Sequence, residues 1–258
     1  MGAYLTNVDA WFISLLLLVA LLVGWGISWW AGRRFGHHEG QAPASKFHDA
    51  IVGLISLMLA FTFSMALVKH EQRRQLVVTE SNAIGDFYTC VSLLDGPVRE
   101  KLQAVVKQYL KKRLATAQAS PDEETFLAHL EETQQMHRTM QALVRQAVND
   151  GTPETVPLVN TFNALTSSHA ARVSAGRDRL PPSIVVMLFA AAVMAMLVMG
   201  WHHGKARELH LGATLGFAVL VYMVVWVTLD LNQPRRGWIT VSQEPLQRQL
   251  AAMEKEQE

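Results

Sequence analysis

Residues 51–68 read IVGLISLMLAFTFSMALV, a stretch that contains no charged side chain. A helix of about 20 apolar residues crosses the roughly 30 Å hydrocarbon layer of a bilayer. Three further stretches, residues 10–30, 184–201 and 211–229, are equally free of charge. None of the four contains proline, so each satisfies its own backbone hydrogen bonds in lipid. The sequence therefore predicts an all-α membrane protein with four transmembrane helices.

Composition excludes several other classes of protein. The chain has 258 residues, a formal net charge of +1 and one cysteine, Cys90. The near-neutral charge argues against a nucleic-acid binder, and one cysteine allows no intrachain disulfide. No glycine-rich phosphate loop, Gly-x-Ser-x-Gly elbow or His-Glu-x-x-His pattern is present. We therefore predict that the protein is not an enzyme and needs no cofactor.

The charged residues concentrate between the second and third membrane helices. Residues 69–182 are punctuated by Gly96-Pro97, by the capping sequence at residues 120–123 and by Gly151, and they end at Pro181-Pro182. These signals predict an extramembrane bundle of about four helices, continuous with the second membrane helix. The predicted domains are residues 1–68 (membrane helices one and two), 69–182 (the bundle), 183–230 (membrane helices three and four) and 231–258. The last of these is a tail with an amphipathic helix from about Pro245.

The second membrane helix carries small and hydroxylated residues every three or four positions: Gly53, Ser56, Ala60 and Ser64. At about 100° per residue, Ser64 continues past the membrane into one line with Glu71, Gln75 and Asn82. A second polar line runs through Thr62, Lys69, Arg73 and Glu80. This pattern is typical of a pore-lining helix and its vestibule. We predict a pore lined by Ser56, Ala60, Phe63 and Ser64, and a mouth formed by Glu71, Glu80 and Asn82.

Phe61 and Phe63 are candidate gate residues, because a hydrophobic constriction closes a pore by dewetting. The alternative interpretation of the same pattern is close packing of helices, which small residues also favour. Four helices do not easily enclose a pore, whereas copies around an axis each contribute one helix. The channel hypothesis therefore includes a homo-oligomer, with lipid and inorganic ions as its partners. The alternative function is a non-conducting membrane scaffold or sensor whose helical bundle binds a partner protein.

Other polar residues are weaker candidates for a site. The histidines of the two short loops, His37-His38 and His202-His203 with His210, match no closed metal site, and we predict none. Asp230 ends the fourth membrane helix, and we expect it to pair with Arg235 or Arg236 at the membrane interface. Cations in the short loops 31–49 and 202–210 favour a cytoplasmic position for both loops. The N-terminus and the bundle are then extracytoplasmic.

Three groups of residues resemble the bestrophin-like family, small bacterial membrane proteins of unassigned function. Residues 59–66 (LAFTFSMA), Arg73-Arg74 and residues 80–85 (ESNAIG) are similar to its signature. Residues 163–165 (NAL), Arg172 and residues 180–182 (LPP) resemble its approach to the third membrane helix. A third group resembles the C-terminal motif of the family: Asp230, Pro234, Gly237, Val241-Ser242 and Pro245-Leu246.

The resemblance implies kinship with bestrophins, which are oligomeric anion channels with helical extramembrane domains, and a place in the bacterial cytoplasmic (inner) membrane. It does not imply calcium gating, because the acidic residues 122–124 are typical of an ordinary helix N-terminus. The carboxylates Glu71 and Glu80 favour cations and the family analogy favours anions, so ion selectivity stays open.

Overall fold

The computed structural model describes residues 9–36, 42–118, 123–207, 209–233 and 237–255. These residues form eight helices and no strand, so the predicted all-α class is confirmed. The helices are α1 (Ala10–Phe35), α2 (Ala42–Ser92), α3 (Pro97–Gln118), α4 (Glu123–Asn149), α5 (Thr155–Arg177), α6 (Pro182–Ala206), α7 (Leu211–Leu231) and α8 (Glu244–Lys255). Four helical stretches, in α1, α2, α6 and α7, are long and apolar enough to cross a membrane.

The breaks between helices fall at the residues that the sequence marks. Gly96 has φ +76° and Gly151 has φ +79°, a left-handed conformation that side chains other than glycine rarely adopt. Gly96 separates α2 from α3, and Pro97 is the first residue of α3, where its missing N–H costs nothing. Gly151 follows the end of α4. The capping sequence predicted at residues 120–123 lies largely outside the described residues.

The chain divides into two compact units. The membrane unit comprises Met1–His70 and Arg179–Thr240, and the helical unit comprises Glu71–Asp178 and Val241–Glu258. Helix α2 contributes to both units. The helical unit includes α8, whereas the sequence predicts this helix as part of a separate tail, residues 231–258.

In the membrane unit, α1 and α6 run parallel and pack with their backbones close together. A Cβ atom added to Gly200 or Gly204 would overlap the carbonyl oxygens of Trp25 or Trp29, and one added to Gly32 would overlap the backbone of Trp201. The Ser28 hydroxyl donates a hydrogen bond to the Leu197 carbonyl across the same contact. Small residues permit this approach, which is how helices associate in a lipid environment that offers no hydrophobic driving force. The remaining core is aliphatic and includes Leu21, Ile55, Met196, Val221 and Val225.

In the helical unit, the outer part of α2 packs with α3, α4, α5 and α8 around one core. Its buried side chains include Ile84, Phe87, Leu102, Leu110, Met140, Leu158 and Leu165. Helix α8 contributes Leu246 and Met253, two members of the apolar stripe predicted for it. Polar contacts also hold this segment: the Ser81 hydroxyl donates to the Pro245 carbonyl at 2.9 Å, and Lys111 pairs with Glu254 at 3.0 Å.

Candidate functional site

The membrane part of α2 has a buried face and an outward face. The buried face carries Ile55, Leu59, Thr62 and Ala66 at helical spacing. The outward face carries Ser56, Ala60 and Ser64, all exposed in the single chain. A Cβ added to Gly53 on this face would meet open space. Gly53, Ser56, Ala60 and Ser64 therefore do not pack against the other helices of the same chain.

The two candidate gate residues differ in their surroundings. The Phe61 side chain is 61% exposed. Phe63 is half-buried and packs against a small cluster formed by Ala66, Leu180 and Leu231. Because Phe63 is already engaged within its own subunit, the freer of the two rings is that of Phe61.

The three residues predicted at the pore mouth do not lie together. Asn82 is exposed and Glu71 is half-buried, and the carboxylate of Glu71 accepts two hydrogen bonds of 2.9 Å from the guanidinium of Arg74. Glu80, by contrast, has no exposed surface. It belongs to the second polar line of α2, and the structure turns that line inward. Glu80 therefore lies in the interior of the helical unit instead of at an opening.

Two other members of the second polar line, Thr62 and Arg73, are also turned inward. The Thr62 hydroxyl is buried and donates to the Met58 carbonyl of its own helix at 2.9 Å. The buried Arg73 side chain donates to the carbonyls of Ala175 at 3.1 Å and Asp178 at 2.7 Å, at the end of α5. A cation is favourable at a helix C-terminus, where carbonyl groups lack partners. Arg73 thus fastens α2 to α5.

Glu80 is the centre of a buried ionic cluster, defined here as Glu80, Tyr109, Arg113, His137, His169 and Arg172. Arg113 donates to both carboxylate oxygens of Glu80, at 3.0 and 3.1 Å, and Arg172 makes a further ion pair with the same carboxylate. The Tyr109 hydroxyl donates to Glu80 Oε1 at 2.9 Å and lies 3.2 Å from His169 Nδ1. Arg172 also donates to the side chain of Gln243, just before α8.

The charges in this cluster do not balance. One carboxylate faces two guanidinium groups, so the two arginines keep Glu80 ionised and leave an excess of positive charge. Burial, together with the charge on Glu80, raises the pKa of Tyr109 well above its usual range, so this hydroxyl stays protonated and acts as a donor. An ion pair this deeply buried depends on having all of its partners present.

His137 lies against the cluster from α4. Its ring centroid is 4.9 Å from that of His169 and 5.1 Å from that of Tyr109. Both of its ring nitrogens are buried and have no hydrogen-bond partner among the described residues. Burial and the neighbouring His169 lower the pKa of His137 to about 4. The ring is therefore neutral at pH 7, which suits a site that already has surplus positive charge.

The sequence marks several members of this cluster as notable but predicts neither their burial nor their contacts. Glu80 lies on a polar line of α2, Arg172 belongs to the family resemblance, and His137 recurs at helical spacing with apolar residues of α4. The missed residues are Tyr109, Arg113 and His169. Their signal is spacing: Tyr109 and Arg113 are four residues apart, and His169 and Arg172 are three apart, so each pair shares one helix face. Nothing in the sequence shows that these faces meet.

Asp230 makes backbone contacts that the sequence does not predict. Its carboxylate is buried and accepts hydrogen bonds from the backbone N–H groups of Trp238 at 2.9 Å and Ile239 at 2.8 Å. Arg235 and Arg236, its expected partners, lie outside the described residues. The carboxylate thus organises the turn that follows α7.

The histidines of the short loops are only partly described. His37 and His38 lie outside the described residues. The ring of His203 accepts a hydrogen bond from Trp25 at 3.4 Å and lies 5.4 Å from the ring of His210. Within the described ranges, no three metal-binding side chains come together.

Comparisons with known proteins identify the fold. A sequence model described as "Bestrophin-like domain" matches residues 14–246. Two crystal structures of a bacterial bestrophin homolog from Klebsiella pneumoniae, each carrying one mutation, superpose with a TM-score of 0.66 at 15% and 14% identity. Each alignment covers 95% of this chain and 96% of the other. A third crystal structure, of a membrane protein, is similar, with a TM-score of 0.64, 15% identity and 95% coverage of both chains. No curated protein matches this chain.

Proposed function

The chain belongs to the bestrophin-like family, and from that membership we propose that it is a subunit of a homo-oligomeric ion channel in the bacterial cytoplasmic membrane. The sequence resemblance to bestrophins supports the channel class. The solved structures with the same fold support an all-helical membrane architecture. We further propose that copies of α2 surround the pore.

The observation that carries this proposal is the outward face of α2. A residue that lines a pore between subunits is exposed in the single chain, and Ser56, Ala60 and Ser64 meet this requirement. Residues on the opposite face of α2 are buried against their own subunit and are excluded from such a pore. A lipid-facing surface is also exposed, but a purely lipid-facing helix gains nothing from a stripe of small and hydroxylated residues.

The hydroxyl groups fit either environment and do not decide the question. Ser56 donates to the Val52 carbonyl of its own helix at 2.9 Å, so its donor is satisfied even in lipid. Its oxygen can still accept a hydrogen bond from water or contact an ion beside the helix. A functional measurement is therefore needed to separate a wetted face from a packed one.

In the proposed pore, Ser56, Ala60 and Ser64 on the outward face of α2 line the pathway. Phe61 is the stronger gate candidate, because its ring extends from the outward face. Phe63 remains a second candidate, although its ring packs against Ala66, Leu180 and Leu231. Of the proposed mouth residues, Glu71 and Asn82 remain, since the buried Glu80 does not reach water.

The test is single-channel recording of the purified protein in planar bilayers under asymmetric potassium chloride. Ser64→Trp places a bulky ring on the outward face and should reduce conductance at least tenfold, because it fills the proposed lumen. Leu220→Trp is the matched control: Leu220 is exposed on α7, so the same ring there should leave conductance unchanged. Both variants should elute from a sizing column as the wild type does.

Two outcomes overturn the proposal. Unchanged conductance in Ser64→Trp removes this face of α2 from the pore. Wild-type silence across voltage and pH favours the scaffold or sensor instead. In a conducting protein, the reversal potential gives the charge preference, and Phe61→Ala compared with Phe63→Ala shows which ring restricts the open pathway.

A further inference from the structure

The segment after α7 presents an exposed tryptophan on a backbone that is hydrogen-bonded to a buried carboxylate. The Trp238 side chain is 82% exposed, and Ile239 beside it is also exposed. Both backbone N–H groups are held by the buried Asp230 carboxylate. Gly237 lies so close to Asp230 that an added Cβ would come within 2.7 Å of its carbonyl oxygen. A large apolar ring beside a second apolar side chain on this turn forms a small patch that is costly to leave in water.

The position of this turn in the membrane unit indicates what covers it. The Leu180 N–H donates to the Asn232 side chain at 2.7 Å, which places the start of α6 beside the end of α7. Phe12 and Val186 line one groove between α1 and α6, so the start of α1 lies at this same end. Trp11 at the start of α1 is also exposed. Two exposed tryptophans, Trp11 and Trp238, therefore lie at one end of the membrane unit.

A second set of exposed tryptophans lies at the opposite end. Trp30 is exposed near the end of α1, and Trp201 is exposed where α6 passes Gly32. Along α1, Trp11 and Trp30 are about 28 Å apart at roughly 1.5 Å per residue. That separation matches the thickness of the hydrocarbon layer, about 30 Å. Between them, α1 exposes apolar side chains of the kind that lipid covers, such as Leu16, Val19, Val23 and Ile27.

We propose that the Asp230-held turn at Trp238 and Ile239 is a membrane-interface anchor, whose occupant is the headgroup region of the lipid bilayer. An indole ring suits this region because its apolar body faces the acyl chains while its N–H faces polar groups. Trp226 supports the ring from inside, edge-to-face at 6.1 Å between centroids. The sequence places two cations, Arg235 and Arg236, directly before the turn, a composition that favours lipid phosphates. With Trp11, the turn fixes the depth of one end of the membrane unit.

The test measures the depth of position 238 in the full-length protein reconstituted in phosphatidylcholine–phosphatidylglycerol vesicles. Trp238→Cys carries a nitroxide label, and its collisions with oxygen and with a water-soluble nickel complex are compared. The native Cys90 is buried, so wild type treated with the same nitroxide reagent is the blank. Leu220→Cys, halfway along α7, is the deep reference, and Asp95→Cys, in the exposed turn after α2, is the aqueous reference. The anchor predicts an oxygen-to-nickel ratio at 238 between the two references.

Each of three other outcomes overturns the proposal. A ratio equal to that of Asp95→Cys means that the turn lies in water, and a ratio equal to that of Leu220→Cys means that it lies among the acyl chains. Exclusion of both probes means that protein, such as a second copy, covers it. A second measurement keeps the native ring: the tryptophan fluorescence intensity that is lost to lipids brominated near the ester groups should be larger in wild type than in Trp238→Phe. Equal quenching in the two proteins also contradicts the anchor.

Discussion

At the level of single residues, Glu80 has the clearest energetic consequence. Its carboxylate is fully buried and bridges Arg113 and Arg172. Glu80→Gln preserves the shape but leaves two buried guanidinium groups without a counter-charge. Removing one member of a buried ion pair typically costs about 3–5 kcal/mol. We expect the free energy of unfolding of the helical unit to fall by this amount, measured by urea denaturation followed by circular dichroism.

Glu71→Gln is the matched control for this change. It is the same substitution, on the same helix, and it also removes an arginine partner. The Glu71–Arg74 pair is largely exposed to solvent, and pairs of that kind contribute little to stability. Equal losses in Glu71→Gln and Glu80→Gln would contradict the structural role assigned to the buried ionic cluster.

His137 makes the stability of the helical unit depend on pH. Its pKa is about 4 in the folded protein and about 6.5 when unfolded, so between these values the unfolded chain binds more protons. Stability should therefore be full above pH 6.5 and should fall as the pH drops toward 4. Solvent partly screens the ring, and we expect a loss of about 1–3 kcal/mol. Denaturation midpoints measured from pH 7.5 to 4 check this slope.

The variant His137→Phe isolates the contribution of this ring. Phenylalanine keeps the contacts with Tyr109 and His169 and cannot be protonated. Its stability should vary less with pH in this window than that of the wild type, with the remaining slope coming from the other titratable groups. An unchanged slope would assign the pH dependence to residues other than His137.

At the level of helices, the contact between α1 and α6 depends on glycine. Gly204→Ala adds a methyl group where the Trp29 carbonyl already lies, so the helices must separate. Overpacking of this kind usually costs about 1–3 kcal/mol. We expect a lower thermal midpoint in detergent, measured by fluorescence-detected size exclusion.

The same substitution at Gly216 on α7 provides the comparison. A Cβ there meets open space within the subunit, and alanine is favoured over glycine in helices by up to about 1 kcal/mol. Gly216→Ala should therefore be neutral or slightly stabilising in the dissociated subunit. Equal losses of stability in the two variants would contradict the assignment of the Gly204 effect to its contact with α1.

The helices themselves are largely predictable, because their signals are local. Charge-free stretches predict the membrane helices, and Gly96-Pro97 and Gly151 predict the breaks. The partners of each helix are not predictable in this way. Small residues four positions apart mark a face suited to close packing on each of two helices, Ser28 and Gly32 on α1 and Gly200 and Gly204 on α6. Many helices carry such faces, so the pattern does not identify the partner. Likewise, the two polar lines on α2 are equally polar in sequence, and only the fold shows that the line containing Glu80 faces inward.

For the whole molecule, contacts between distant parts of the chain limit what the sequence can predict. Helix α8 reads as a separate amphipathic tail, yet it completes the core of the helical unit through Leu246 and Met253. Arg172 also contacts both Glu80 and Gln243, the residue just before α8, across long stretches of sequence. The proposed pore is harder still to derive from one chain, because its walls come from several copies.

The orientation of the molecule in the membrane is a prediction at this same scale. Cations concentrate in the short loops 31–49 and 202–210, which places these loops in the cytoplasm and the helical unit outside it. Asp95→Cys reports on the helical unit. Ala206→Cys, at the end of α6, reports on the loop 202–210 without removing a cation. Both positions are exposed. In intact spheroplasts, a membrane-impermeant maleimide should label Asp95→Cys at least five times more than Ala206→Cys. Permeabilisation should equalise them, while the reverse pattern would place the helical unit in the cytoplasm.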